Sequence, residues 1–299
     1  MWSKIPWSIC AAVTLSLSVH AAEPLVPPVE ADAVTSAPPS TTTTRAEAAQ
    51  AATEATPATA PTDPEALLWQ KYAAGQLGND YIELGRPPAL ARFVAAARPQ
   101  PRGAFLLLST AYEFVGVDAL VESALIRLPD AGWSVLAVQM PLSAPGVGVV
   151  EAEFLDRALA RARAGIAHLG AAAVAATIVV ARGESIAVAE QLVRDTPHVL
   201  GWATLGPWQG DLLAGGPAHF DVLGDADGRA QATFARRARA AAQAGRVDYR
   251  QFVLPGAGRD FRTQAGEVIA RLQGWATRLP PRQRSAAEIA LSAATPRSP

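Results

Sequence analysis

The stretch that decides the fold is Thr177-Ile178-Val179-Val180-Ala181-Arg182-Gly183-Glu184-Ser185-Ile186-Ala187-Val188-Ala189. Its apolar first half predicts a buried strand, and its second half predicts a helix with a tight turn before it. A Gly-x-Ser-x-small pattern between a strand and a helix is typical of a nucleophile elbow, which presents a reactive serine above a sheet. The stretch therefore predicts an α/β fold with Ser185 as the candidate nucleophile.

The neighbours of Ser185 fit this interpretation. Gly183 and Ala187 are small, as the residues two places either side of an elbow nucleophile must be, since strand and helix pass close together there. The N–H of Ile186, at the start of the helix, would be one oxyanion donor. The alternative is that Ser185 serves only as the N-cap of an ordinary helix.

Working outward from this stretch, apolar runs alternate with segments of helical periodicity. Strands alternating with helices predict a three-layer α/β sandwich with a mostly parallel sheet. Tyr81–Leu84 and Ala91–Ala95 predict an antiparallel hairpin at one edge. No long insertion separates Leu205 from Phe220, so we expect no inserted lid domain there. The predicted core strands lie near Ala104–Leu108, Val135–Val138, Ile178–Val180, Val199–Leu205, Phe220–Leu223 and Tyr249–Leu254.

The two ends of the chain differ in composition from the middle. Residues 1–22 combine Lys4, a short apolar run and small residues, which is the layout of a secretory signal peptide. Residues 23–64 are rich in Ala, Thr and Pro and predict a flexible linker. We expect the folded domain at residues 65–281 and a flexible tail at 282–299.

Composition narrows the class of protein. The formal net charge of −1 argues against a nucleic-acid partner. The single cysteine, Cys10, lies in the predicted signal, so the mature chain would have no disulfide and no thiol chemistry. These features indicate an exported, periplasmic protein without a membrane span after signal cleavage. We expect no cofactor and no metal.

The order of elements resembles the α/β-hydrolase superfamily and, more closely, the bacterial domain-of-unknown-function 3530 family of exported hydrolase-like proteins. The resemblance rests on Arg102–Leu108, Ala131–Pro141, Phe220–Gly224 and Asp248–Gln251, and it extends over about Glu65–Leu279. It implies a site at the carboxyl ends of the strands, with a serine, an acid and a histidine on separate loops.

The acid and the base are less well matched than the serine. Asp227, after the strand at Phe220–Leu223, matches the acid position that the resemblance implies, although a loop aspartate that caps the next helix is the alternative. Arg259 stands where the family at large would place the histidine. An arginine stays charged and cannot accept a proton from a serine.

The remaining histidines do not replace it. His20 belongs to the predicted signal, and His168, His198 and His219 precede strands or end a helix. They should therefore lie at the amino ends of the strands, whereas ligand and catalytic groups gather at the carboxyl ends. Surface or turn roles, and no metal site, are the prediction for these histidines.

A second departure lies after the first core strand, where hydrolases often have His-Gly and this chain has Ser109–Phe114. A backbone N–H near Ala111 or Tyr112 could still bind an oxyanion. Any cleft would be shallow, with candidate lining residues Tyr112, Phe114, Trp208 and Leu212; the alternative is that these four only cover the edge of the sheet.

Three hypotheses follow. The preferred one is a pseudohydrolase that binds a ligand or an envelope protein, with Arg259 suited to a carboxylate or phosphate; an ordinary surface ion pair of Arg259 with Asp227 or Asp260 is the alternative. The second is an atypical serine esterase acting on a small ester or cell-envelope substrate through Ser185. The third is a tethered envelope scaffold.

Overall fold

In a computed structural model of the chain, eight strands form one sheet. The structure describes residues 64–142, 152–172, 174, 176–226, 228, 230–258 and 260–280. The strands, in chain order, are β1 Tyr81–Leu84, β2 Ala89–Val94, β3 Gly103–Leu108, β4 Trp133–Val138, β5 Thr177–Arg182, β6 Val199–Leu205, β7 Ala218–Gly224 and β8 Tyr249–Leu254.

The sheet is mostly parallel, as predicted. Its spatial order is β1-β2-β4-β3-β5-β6-β7-β8. Strand β2 pairs antiparallel with both β1 and β4, whereas every other neighbouring pair is parallel. The predicted edge hairpin and the predicted core strands are therefore confirmed. The carboxyl ends of the parallel strands all meet at one edge of the sheet, where a site is expected.

Helices cover both faces of the sheet. They are α1 Pro64–Ala73, α2 Ala119–Arg127, α3 Ala152–Ala171, α4 Ser185–Asp195, α5 Gln231–Gln243 and α6 Ala265–Thr277. Helices α2 and α6 pack against the face that carries Phe105 and Leu107. Helices α3 and α4 pack against the face that carries Leu106 and Leu108. All residues of β3, β4 and β5 are buried, as expected of parallel strands covered on both sides.

A side-chain cap fixes the start of α2, and an ion pair between distant residues holds α1 to the domain. The Asp118 carboxylate caps α2, because its Oδ1 accepts hydrogen bonds from the N–H groups of Leu120 at 2.9 Å and Val121 at 3.4 Å. Helix α1 is held by a bidentate ion pair, in which both terminal nitrogens of Arg161 bind the Glu65 carboxylate at 3.0 Å and 2.9 Å.

Strands β6 and β7 are joined by residues 206–217 without a helix. The connection returns from the carboxyl edge of the sheet to the amino edge. It is too short for an inserted domain, so the expectation that no lid enters here is confirmed.

Several predictions concern residues outside the described part of the chain: the signal peptide, nearly all of the linker, the tail, Asp227 and Arg259. They stay predictions. Within the described residues, no helix is long and apolar enough to cross a membrane.

Candidate functional site

The turn between β5 and α4 is the centre of the candidate site. Only Gly183 and Glu184 separate the last residue of β5 from the first residue of α4. Gly183 has a φ of +59°, in the left-handed region, whereas Glu184 has a helical φ of −64°. The left-handed, sterically restricted position of the turn is therefore Gly183, two residues before the predicted nucleophile.

Ser185 lies below this turn and is fully buried. Its Oγ is 3.1 Å from the carbonyl oxygen of Leu108 and 2.9 Å from that of Arg182, and it accepts a hydrogen bond from the Arg182 N–H at 3.2 Å. A serine hydroxyl can donate one hydrogen bond, and here the acceptors within reach are backbone carbonyl oxygens. The expectation that an elbow exposes Ser185 is corrected: the serine is the first residue of α4 and joins that helix to β3.

The same sequence holds a second small-x-small pattern, centred on the glycine. Ala181 and Ser185 stand two places before and after Gly183, and both are small and buried. A Cβ built on Gly183 would have only the Thr110 methyl within 4 Å, at 3.5 Å, which is an ordinary contact. Gly183 thus occupies the position of an elbow nucleophile and offers no side chain. This placement follows from the end of β5 at Arg182, a boundary that the structure shows.

The two predicted oxyanion donors lie in different settings. The N–H of Ile186 donates to the carbonyl oxygen of Gly183 at 3.2 Å, inside the turn. Tyr112 lies on the loop after β3 and is 45% exposed. Because an oxyanion donor of an elbow follows the nucleophile directly, the residue in that place is Glu184 and not Ile186.

A cluster of charged residues lies beside the turn, and sequence reasoning missed it. The guanidinium of Arg182, at the carboxyl end of β5, contacts the carboxylates of Glu113 and Asp118, the latter at 2.8 Å. It also donates to the backbone oxygen of Asp260 at 2.5 Å. Arg262 binds the other oxygen of Glu113 at 2.5 Å. We call these five residues the edge cluster.

The edge cluster connects the loops that surround an elbow. Glu113 and Asp118 lie between β3 and α2, whereas Asp260 and Arg262 follow β8. The hydrogen bond and ion pair with Glu113 raise the pKa of Arg262 above its usual value. The cluster therefore holds the loop after β3 against the loop after β8, which is where a histidine would be needed.

The loop after β7 is also bound to the loop after β8. Oδ1 of Asp225 accepts a hydrogen bond from the Gly256 N–H at 2.8 Å. Asp225 directly follows β7, so it lies at the carboxyl edge of the sheet. Its carboxylate orients the backbone of the loop after β8. The other two predicted residues of this region, Asp227 and Arg259, are outside the described residues.

The three histidines in the described part of the chain stand apart from the turn. His168 is in the last turn of α3 with its ring 5.2 Å from that of Phe93, and His198 lies in the turn before β6. His219 is the second residue of β7, near the amino edge of the sheet. Its predicted surface or turn role is wrong, because its side chain is fully buried.

His219 belongs to a buried polar cluster. Its Nε2 lies 3.1 Å from Oγ1 of Thr204, which donates to Oδ1 of Asp221 at 2.8 Å. The other oxygen of Asp221 accepts hydrogen bonds from Arg237 at 2.8 Å and from the Tyr249 hydroxyl at 2.9 Å. Burial and nearby arginines lower the pKa of His219 to about 3, so it is neutral at pH 7. Burial and the Asp221 charge raise the pKa of Tyr249.

Trp208 packs against this cluster. The Arg237 guanidinium lies over its ring at 4.6 Å, and its indole N–H donates to Glu190 at 3.1 Å. The ring is also 5.1 Å from that of Trp202. The expectation that Trp208 lines a shallow cleft therefore does not match its position, since only 6% of the residue is exposed.

A groove of about 640 Å³ lies at the amino edge of the sheet, on the side opposite the turn. It is lined by the end of α4, the start of β6 and residues 211–217. Leu212 is part of this lining, so its expected place at the carboxyl edge is corrected. Among the described residues, no group of three His, Cys, Asp or Glu side chains could hold a metal ion.

Solved structures resemble this arrangement. A protein of unknown function from Agrobacterium tumefaciens, described as a candidate α/β hydrolase, superposes with a TM-score of 0.51 at 11% identity over 68% of this chain and 99% of that chain. An α/β serine hydrolase homologue from Coxiella burnetii gives a TM-score of 0.50 at 10% identity, over 66% of this chain and 97% of that chain. The chain has the α/β-hydrolase fold. A lidless α/β serine hydrolase from Xanthomonas campestris gives a TM-score of 0.49 at 14% identity, over 70% of this chain and 99% of that chain.

The superpositions with TM-scores of 0.51 and 0.50 show the α/β-hydrolase fold. Because the sequence identities are so low, they show nothing finer. No protein-family model matches the chain, and no curated protein matches it. Since one hydrolase fold hosts many activities, function has to be argued from the turn and its neighbours.

Proposed function

We propose that this protein is an exported pseudohydrolase: it keeps the α/β-hydrolase fold and uses the carboxyl edge of its sheet to bind a ligand or an envelope partner. The observation that carries the proposal is the glycine at the left-handed position of the β5–α4 turn. A nucleophile at that position would need a side chain with a reactive group such as a hydroxyl, thiol or carboxylate, and Gly183 has no side chain.

The setting of Ser185 supports the same conclusion. An attacking serine must deliver its proton to a base within hydrogen-bond reach. The Ser185 hydroxyl faces the carbonyl oxygens of Leu108 and Arg182, which are not bases at neutral pH. Catalysis through Ser185 would first require its hydroxyl to give up these two carbonyl oxygens.

The proposed location and family rest on sequence. Residues 1–22 support export to the periplasm, and residues 23–64 support a tether between the domain and its point of attachment. Membership of the domain-of-unknown-function 3530 family is part of the proposal and accords with the observed fold.

Labelling with a fluorophosphonate probe tests the absence of catalysis. The purified mature protein and Ser185→Ala should both stay unlabelled, while an active serine esterase in the same assay is labelled. Labelling of the wild type that disappears in Ser185→Ala would overturn the proposal and support the atypical esterase. Labelling of both proteins would indicate another reactive residue and would equally overturn it.

A further inference from the structure

We propose that Arg182 and Arg262 form a binding site for a ligand carboxylate beside the Gly183 turn, which Glu113 occupies as an internal ligand in the free protein. This deepens the proposed function and rests on it, because it assigns the carboxyl edge of the sheet to binding. The sequence predicts Arg259 as the ligand-binding arginine, whereas the site proposed here consists of Arg182 and Arg262.

The geometry of Glu113 is that of a bound carboxylate. One oxygen contacts Arg182, and the other contacts Arg262 at 2.5 Å. A carboxylate spread over two guanidinium groups makes two charge-assisted hydrogen bonds. The carboxylate of an external ligand could make the same two contacts.

Glu113 is the exchangeable partner of Arg182, and Asp118 is the fixed one. Asp118 is buried and is held by its capping bonds to α2. Glu113 lies on the irregular loop after β3, outside any helix or strand. If Glu113 moved away, Arg182 would keep Asp118 at 2.8 Å and the Asp260 carbonyl oxygen at 2.5 Å. The exchange would thus leave no buried charge unpaired, so it would avoid the large free-energy penalty of an unpaired buried charge.

The site is open to solvent on the side of Arg262. The Arg262 side chain is 62% exposed, whereas that of Arg182 is 7% exposed. A ligand would therefore meet Arg262 first and reach Arg182 as Glu113 leaves. The carboxyl edge of an α/β sheet is also where such folds bind their ligands.

The surrounding charge favours a single carboxylate over a phosphate. Asp118 binds Arg182 directly, and the Asp260 carboxylate lies 3.8 Å from Arg262. A dianion placed between the two arginines would be repelled by both aspartates, whereas a monoanion only replaces the charge of Glu113. We therefore assign the ligand to the carboxylic acids.

Acetate tests the site directly. In Glu113→Ala, sodium acetate at pH 7 should raise the Tm relative to sodium chloride at equal ionic strength, because acetate replaces the lost carboxylate. Acetate should bind wild type at least about tenfold more weakly, since Glu113 competes for the same arginines. The matched control is Glu267→Ala, which removes an exposed Glu–Arg271 pair of 3.1 Å; acetate should not affect its Tm.

Two further variants make the result decisive. Glu113→Ala with Arg262→Gln should lose the acetate effect, and Glu113→Ser, which also removes the carboxylate and leaves room for acetate, provides the test if Glu113→Ala does not fold. No acetate effect in either Glu113 variant, or an equal effect in Glu267→Ala, would overturn the site. A larger effect of phosphate than of acetate would overturn the ligand class. Fluorophosphonate labelling is a separate readout, so failure of the pseudohydrolase proposal would be seen independently.

Discussion

The Ser185 hydroxyl lies 3.1 Å from the carbonyl oxygen of Leu108, so it joins the first turn of α4 to the last residue of β3 inside the core. A hydroxyl in this position contributes to stability. Its replacement would leave buried backbone groups without their partner.

Ser185→Ala should lower the free energy of unfolding by about 1–3 kcal/mol, because buried backbone groups lose a hydrogen bond. Urea denaturation measures this. Thr277→Ala is the control, since the Thr277 hydroxyl makes an exposed bond within α6 at 2.8 Å; its change should stay within about 0.5 kcal/mol. Equal stability of Ser185→Ala and wild type would contradict the structural role.

Gly183→Ala should destabilise the fold by about 1–2 kcal/mol, the cost of placing a Cβ residue in the left-handed region. Steric crowding would add little, because the built Cβ meets only the Thr110 methyl, at 3.5 Å. Thermal unfolding checks this. Gly170→Ala is the matched control: its Cβ would meet nothing within 4 Å in α3, so it should be neutral or stabilising. If both variants behaved alike, the conformational argument would be wrong.

Arg237→Met should cost about 3–5 kcal/mol, because it leaves the Asp221 carboxylate buried without its cation. The two groups are 2.8 Å apart, with side chains 2% and 0% exposed. Arg236→Met, one residue earlier on α5, removes an exposed pair with Asp211 at 3.0 Å and should cost at most about 1 kcal/mol. Denaturant midpoints of the two variants should differ clearly; similar midpoints would refute the buried pair's contribution.

The stability of the protein should fall in mild acid because of His219. Its pKa is lowered from 6.5 to about 3 in the folded protein, so below pH 6.5 the unfolded chain binds a proton that the folded chain does not. This contribution is complete above pH 6.5 and is lost as the pH falls toward 3, at up to about 1.4 kcal/mol per pH unit.

Unfolding curves between pH 7 and pH 4 measure that slope. His219→Gln should flatten it, whatever the variant's absolute stability. An unchanged slope in His219→Gln would show that other groups cause the acid sensitivity.

Much of the fold was predictable from the sequence because it depends on patterns within single segments. Apolar runs such as Ala104–Leu108 are long enough to be strands and lack polar alternation, so they had to be buried on both faces. The Asp118 cap of α2 is also local, because a capping bond joins residues two or three positions apart.

The site was less predictable, since its groups come from distant segments. Glu113 and Arg262 are 149 residues apart, and only the packing of β3, β5 and β8 in one sheet brings their loops together. The burial of His219 was missed because it depends on Trp202, Thr204 and Tyr249, which approach it from neighbouring strands.

By itself, the sequence determined an alternating α/β chain with a strand, a turn and a helix at 177–189, since hydrogen-bonding and hydrophobic periodicity are local. Only the tertiary structure decided which residue of that turn faces the site. Ending β5 at Arg182 places Gly183 at the left-handed position and turns Ser185 into the core. The physical reason is that a side chain's direction follows from the strand boundary and the φ angle, which sheet packing sets.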